Sequence, residues 1–460
     1  MHVDNCITDS APGRRGYVEV KPAKWSSILP WIVLAIIVGT GLWARWRYMQ
    51  TGVYHIDEFI SMLAIRMILV EGQPVLPSGL FYDNGLVFSY LGAAVVHLAG
   101  GDLLAARWWS LMMGGLTIVL VYIVCRQLFG AHWWGLVAAL EMAFLSDAIE
   151  WGGRVRMYSQ ANFIFLMWLI LAWWATLGGR HSWARLALIV ALWLGLGTHA
   201  ILFLAIPPIA LSLFLVWLLA DDVRFSLRGS GRRIAIEVGV ALIVLVLSVW
   251  MAGGGFIARY AAESSVLESN LAAVNNSPVG GFLDIGLNEA RLAKLGAYFS
   301  KDRMLLLSFM ALLGILIAAT RAAQRQFQKN DLAGLFVAMS LAGILIELLL
   351  LLPDEWRKTR YNFILVLPMI LLLTVYALQS ISDSITSHSS GSSRWIKSFG
   401  VACLVALGVF LPLLRFRDET IDVITGDDRI PNRYDLALEY VDVIRAPGDQ
   451  LLTIRPAAGY

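Results

Sequence analysis

Charge is what this chain has least of. Only 15% of its 460 residues are Asp, Glu, Lys or Arg, against roughly 25% in soluble domains. With 58% hydrophobic residues, a soluble core could not cover the apolar surface, so a bilayer must act as solvent for most of it. The net charge is only +3, too small to point to nucleic acid. Cysteine is nearly absent. Cys6, Cys125 and Cys403 are far apart and form neither a metal spacing nor a disulfide framework. A cleavable leader is also missing: the first apolar run begins near Ile28 and is followed by Arg45 and Arg47. A small-residue cleavage site would stand there in a signal peptide, so the run reads as a retained span.

What is present is a series of long apolar runs. A spanning helix needs about 20 mostly apolar residues. The candidates are Ile28–Trp43, Trp108–Val124, Trp133–Ser146, Ala161–Leu177, Leu186–Gly197, Ile201–Ala220, Ile234–Ala252, Leu305–Thr320, Leu332–Leu352, Tyr361–Leu378 and Phe399–Leu414. Gly85–Gly100 is apolar but short, interrupted by glycine and carries His97. Counting it as a span would reverse every later loop, so cationic residues can arbitrate. Without it, Arg126, Arg180, Arg185, Arg224, Arg228, Arg232, Arg233, Arg321, Arg325, Lys329, Arg394 and Lys397 share one side with the basic amino terminus. The opposing short loops carry only Arg154, Arg156, Arg357, Lys358 and Arg360. The larger set faces the cytoplasm, and Gly85–Gly100 becomes a surface helix.

The expected architecture is therefore an all-α polytopic membrane protein with about eleven spans, juxtamembrane helices in the first outer loop and a short extracytoplasmic α/β segment at its end. Residues 1–27 form a cytoplasmic tail and 28–414 the transmembrane domain, with outer loops over 48–106 and 253–303. Residues 415–460 follow outside, with a helix expected over Arg433–Ile444 and a strand starting at Leu451–Ile454. That segment reads as the opening of a domain that stops at Tyr460, as a fragment would.

Polar residues collect on the outer side of this topology. Asp57 and Glu58 follow His55 at the start of an amphipathic run, Phe59–Val70. Acids there complement a helix dipole, and a carboxylate there could also serve as general base toward an incoming hydroxyl. Arg154, Arg156 and Tyr158 lie between two spans. Loop arginines can anchor to lipid headgroups or clamp a phosphate leaving group. His199, Asp83 and the pair Arg360 and Tyr361 complete the set. A lone histidine, an Asx turn and interfacial belt residues are their structural readings.

The order of these features resembles the GT-C superfamily of membrane glycosyltransferases, most closely its protein O-mannosyltransferase and aminoarabinose transferase branch. The resemblance rests on Asp57-Glu58, on Phe81–Gly100 as a juxtamembrane helix, and on Ala106-Arg107-Trp108-Trp109-Ser110 leading to Arg126-Gln127-Leu128-Phe129-Gly130. Arg154–Tyr158 and Arg360-Tyr361 followed by Leu367-Pro368 complete it. The family's Pro-Pro is here Asp83-Asn84-Gly85. The resemblance implies a sugar donor on polyprenyl phosphate, catalysis on the extracytoplasmic face and inversion at the sugar carbon. It implies Asp57 as base with Glu58 beside it, and leaves open a divalent metal and an acceptor that is protein, lipid or polysaccharide. A transporter or lipid flippase fits the spans equally well; such proteins place ionisable residues at mid-membrane, where this chain has Glu141 and Glu347.

Overall fold

The computed structural model describes residues 24–52, 55–176, 182–219, 303–324, 329–350, 359–387 and 417–425, with residues 292–293, 296, 298–299 and 400. The expected spans Ile234–Ala252 and Phe399–Leu414, the amino-terminal tail over 1–23, most of the loop over 253–303, and Arg433–Ile444 with its following strand lie outside them. Among the described residues the structure is helical, with no sheet beyond one isolated bridge, Val75 to Phe81.

The helices are α1 (Lys24–Thr51), α2 (Ile56–Glu71), α3 (Leu86–Leu98), α4 (Ala106–Phe129), α5 (His132–Phe144), α6 (Ser146–Gly153), α7 (Tyr158–Thr176), α8 (Ser182–Thr198) and α9 (Ile206–Leu219). A 3-10 turn over Ala200–Ala205 precedes α9. They continue with α10 (Arg303–Ala323), α11 (Lys329–Leu350), α12 (Thr359–Ser387) and α13 (Arg417–Thr425). Seven helices among the described residues are long and apolar enough to cross a membrane.

The apolar pattern explains who sits where. A helix hydrophobic on all sides is covered either by other helices or by lipid. The span of α12 is 89% buried, with α7 packed beside it. In contrast, α10 presents Leu305, Phe309, Leu312 and Leu316 outward, a stripe at helical spacing that suits lipid contact. At one end of the bundle Asp331 accepts from Arg321 and from the Tyr376 hydroxyl (2.8 Å), pinning α10, α11 and α12 together.

Residues 52–105 return to the end at which α1 finishes. Arg107, near the start of α4, donates from Nη1 to the Met49 carbonyl near the end of α1 (2.8 Å). Between them, α3 has 13 residues, or about 20 Å at 1.5 Å rise, short of the ~30 Å hydrocarbon core. The surface-helix expectation for Gly85–Gly100 therefore matches the chain's path.

The run Trp133–Ser146 is not one continuous helix. It forms the 13-residue α5, breaks at Leu145 (φ −62, ψ 132) and resumes as α6. Hydropathy continues through Leu145, so the break is invisible to it. The reason lies in side chains from elsewhere. Arg45 donates to the carbonyls of Ala143 (2.9 Å) and Met142 (2.8 Å), and the Thr420 hydroxyl donates to that of Phe144 (3.2 Å). Three of the carbonyls that a helix end leaves without intrahelical partners are thereby satisfied. Gly152 lets α6 pass over this guanidinium: a Cβ there would lie 2.6 Å from Arg45 Nε.

Candidate active site

Around Arg107 the ends of several elements meet in one polar cluster. It begins with His55, the N-cap of α2. Its Nδ1 accepts from the Asp57 N–H (3.2 Å), while Glu58 Oε2 accepts from the His55 N–H (3.0 Å). This reciprocal capping box turns two adjacent carboxylates in different directions.

Glu58 points into the protein. It is fully buried, meets Arg107 through Nε (3.1 Å) and Nη2 (3.2 Å), and accepts from the Val155 N–H (2.8 Å). Its charge is thus matched and its oxygens occupied, which makes it the joint between α2, α4 and the loop carrying the arginines. Asp57 keeps its carboxylate at the surface, 22% exposed. Its Oδ2 accepts from Arg360 Nη1 and stands 3.8 Å from Arg156 Nη2 and 3.7 Å from His55 Nδ1. Burial alone would raise this carboxyl, but the Arg156 and Arg360 guanidiniums, with His55, hold it below the usual carboxylate range.

Arg156 is the hub. Its Nη1 is shared among the Asp57 carbonyl (3.0 Å), Ser61 Oγ (2.9 Å) and the Tyr82 hydroxyl (3.2 Å), and its Nη2 donates to the Tyr158 hydroxyl (2.9 Å). Burial would weaken its hold on a proton. The oxygens of Tyr82, Tyr158 and Asp57 outweigh that, and its pKa is raised. Arg360 lies over the rings of Tyr158 (5.5 Å) and Tyr361 (5.6 Å), a cation–π cradle that holds a guanidinium without neutralising it. His199 packs edge-on against Tyr361 (5.4 Å) and beside Tyr158 (5.7 Å). Burial first, then the two guanidiniums, push its pKa down to about 3.

Arg154 turns elsewhere. It pairs with Glu150 one turn earlier (2.5 Å) and lies over Trp151 (5.1 Å) and Tyr48 (5.8 Å). Its field still reaches His55, whose pKa is lowered by burial first and by Arg154 next. Asp83 sits in an exposed turn. Its neighbour Tyr82 is the residue that meets Arg156, held by the Tyr82 N–H to Pro74 carbonyl bond (2.8 Å).

The structure thus brings Asp57, Arg156, Tyr158, His199, Arg360 and Tyr361 together, with His55 and Glu58 behind them, and sets Arg154 and Asp83 at the margin. It adds Ser61, Tyr82, Arg107 and Arg45. Ser61 lies one turn after Asp57, a spacing that could have exposed it. Arg45, set in the first apolar run, reads from sequence only as the mark of that run's end. Among the described residues no three of His, Cys, Asp and Glu gather closely enough to hold a metal ion.

The sequence profile of the dolichyl-phosphate-mannose-protein mannosyltransferase family matches residues 83–252. No curated protein matches the sequence. Among solved structures, the oligosaccharyltransferase of Archaeoglobus fulgidus superposes with a TM-score of 0.60 at 15% identity over 92% of this chain. ArnT from Cupriavidus metallidurans, bound to undecaprenyl phosphate, superposes with a TM-score of 0.57 at 15% identity, covering 95% of this chain and 85% of its own. This is a GT-C fold. A further archaeal structure, AglB in complex with an inhibitory peptide and a dolichol-phosphate, superposes with a TM-score of 0.55 at 14% identity. The chain described here spans only 59% of the length of the archaeal enzymes it matches.

Proposed function

We propose that this GT-C protein is a membrane glycosyltransferase that moves a sugar from a polyprenyl-phosphate donor to an acceptor on the extracytoplasmic face. One observation carries the reading. A single carboxylate oxygen of Asp57 lies between two guanidiniums, Arg156 and Arg360, on a protein with seven apolar helices of spanning length among its described residues. A base and a phosphate clamp are thereby adjacent, as transfer from a phosphate-linked donor requires. The cluster lies at helix ends, which favours catalysis at an interface over the mid-membrane sites of transporters.

The chemistry follows from competition. Beside two cations Asp57 is a weak base, and general-base catalysis works best with a pKa near the working pH. An incoming donor phosphate is an alternative partner for the same guanidinium forks. As Arg360 turns to the phosphate, the Asp57 carboxylate loses a counter-charge and becomes more basic. It then takes the proton from the acceptor nucleophile as that group attacks the sugar's anomeric carbon. The bond from that carbon to the phosphate oxygen breaks with inversion. Arg156 and Arg360, with Tyr361 packed against the latter, hold the charge that gathers on the departing polyprenyl phosphate. Glu58 and Arg154 keep the loop in place through Arg107 and Glu150. An outside location for this cluster is supported by the excess of cationic residues in the loops at the opposite end.

Protein reconstituted with a panel of polyprenyl-phosphate sugars should release polyprenyl phosphate from one of them in the presence of membrane extract as acceptor source. Release from none, with the same protein moving an intact lipid-linked sugar between leaflets, would replace this reading with a flippase.

A further inference from the structure

Beside the two arginines lies a third N–H donor. His199 sits between α8 and the turn Ala200–Ala205, and its Nδ1 accepts from the Ile201 N–H (3.0 Å). A ring nitrogen that accepts a hydrogen bond carries no proton, so the proton of the neutral imidazole is on Nε2. The backbone therefore fixes the tautomer. The side chain is 2% exposed, and among the described residues no acceptor meets Nε2. The same holds for Nε of Arg156 and Nε of Arg360.

These three groups share two aromatic rings. The Arg156 and Arg360 guanidiniums stand 5.1 and 5.5 Å from the Tyr158 ring, and the His199 ring packs against both Tyr158 and Tyr361. Burying an N–H without an acceptor is unfavourable. Three of them around one tyrosine point to a ligand rich in oxygen.

We propose that His199 is a further donor-binding residue, giving its Nε2–H to a non-bridging phosphate oxygen beside Arg156 and Arg360. The inference rests on the reading of those arginines as a phosphate clamp. Geometry also says why the third group is neutral. Two guanidiniums already supply the positive charge, and a third cation among them would be repelled. A neutral imidazole adds a hydrogen bond and orientation alone. Protonation would moreover put a proton on Nδ1, against the Ile201 N–H it now accepts. The depressed pKa of the ring, about 3, agrees with a donor that stays neutral at working pH. His199 is thus a binding group and takes no part in proton transfer.

The test compares two amides. In His199→Asn the side-chain oxygen can replace Nδ1 as the cap, but nothing reaches the Nε2 position. In His199→Gln the longer side chain brings an amide N–H toward that position. Binding of undecaprenyl phosphate to protein in nanodiscs is measured together with Tm. We expect roughly tenfold weaker binding for His199→Asn at nearly wild-type Tm, with much of it regained in His199→Gln. Wild-type affinity in a folded His199→Asn protein would overturn the assignment.

Ring-labelled histidine in the wild-type protein provides a reading that needs no variant. The Nε2–H signal of His199 should move on addition of undecaprenyl phosphate, and an unmoved signal with phosphate bound would equally overturn it. Inorganic phosphate moving the same signal supports recognition of the phosphate itself. A response confined to the polyprenyl ester supports recognition that also needs the lipid. If the wild-type protein binds no polyprenyl phosphate at all, the proposed function fails; if it binds and only the His199 readings are flat, the inference alone fails.

Discussion

Asp57 and Glu58 are neighbours in sequence with opposite circumstances. Glu58 is held by a bidentate arginine and two backbone N–H groups, whereas Asp57 meets the surface and shares one oxygen with Arg360 and Arg156. Replacing Asp57 with Asn keeps the shape and removes the proposed base. Turnover should fall by about two to four orders of magnitude, with membrane insertion and Tm intact; unchanged turnover would reject it as base. Arg360→Gln tests the coupling. The base works deprotonated, so activity is lost as pH falls through the pKa of Asp57. That pKa is now depressed by the two guanidiniums. Removing one raises it, so the acid limb of kcat/KM should move to higher pH while donor KM also rises. A limb that stays in place would separate Arg360 from the base.

At the scale of elements, the break between α5 and α6 sets where Arg154 and Arg156 begin, and Arg45 holds it. Arg45→Met would leave the Met142 and Ala143 carbonyls without a side-chain donor, at a stability cost of roughly 1–3 kcal/mol. Turnover should fall further than stability alone explains, because α6 carries the arginine loop. Arg45→Lys should recover part of both, measured by thermal unfolding and initial rates. Equal loss in the Lys and Met variants would show that its charge and donors are not what matters.

This is also where sequence reading stops. Long apolar runs reveal α1, α4, α7 and α12 because composition decides their placement in lipid. The end of α5 is decided by Arg45, about a hundred residues earlier, and by Thr420, far downstream, and no local pattern records that. Helix α13 was likewise not expected, since its first residues are Arg417, Asp418 and Glu419. Its Val423 and Ile424 pack beneath Tyr48 and Ile149. Asp57, Arg156 and Arg360 were legible through the topology, Arg107 stood in a motif without a role, and Tyr82 becomes visible only once the loops are folded.

For the whole molecule, the charge distribution and the fold make one joint claim: the site end and the Arg321–Asp331–Tyr376 end face opposite compartments. Ser78 is exposed in the loop between α2 and α3, and Gln324 is exposed just after α10. In a background lacking Cys6 and Cys403, Ser78→Cys should react with an impermeant maleimide from outside intact cells, and Gln324→Cys only after permeabilisation. The reverse pattern would place the site in the cytoplasm.

The pair Asp57–Arg360 joins residues 303 positions apart. At about 5 to 20 residues per second, the ribosome takes on the order of 15 to 60 s to travel from one to the other. Through that interval the nascent chain holds the carboxylate and Arg156 in the bilayer without the helix that brings Arg360. Under the proposed function, competence for transfer is therefore assembled late in biogenesis, and a chain released before α12 inserts would carry the proposed base but lack half of the proposed clamp.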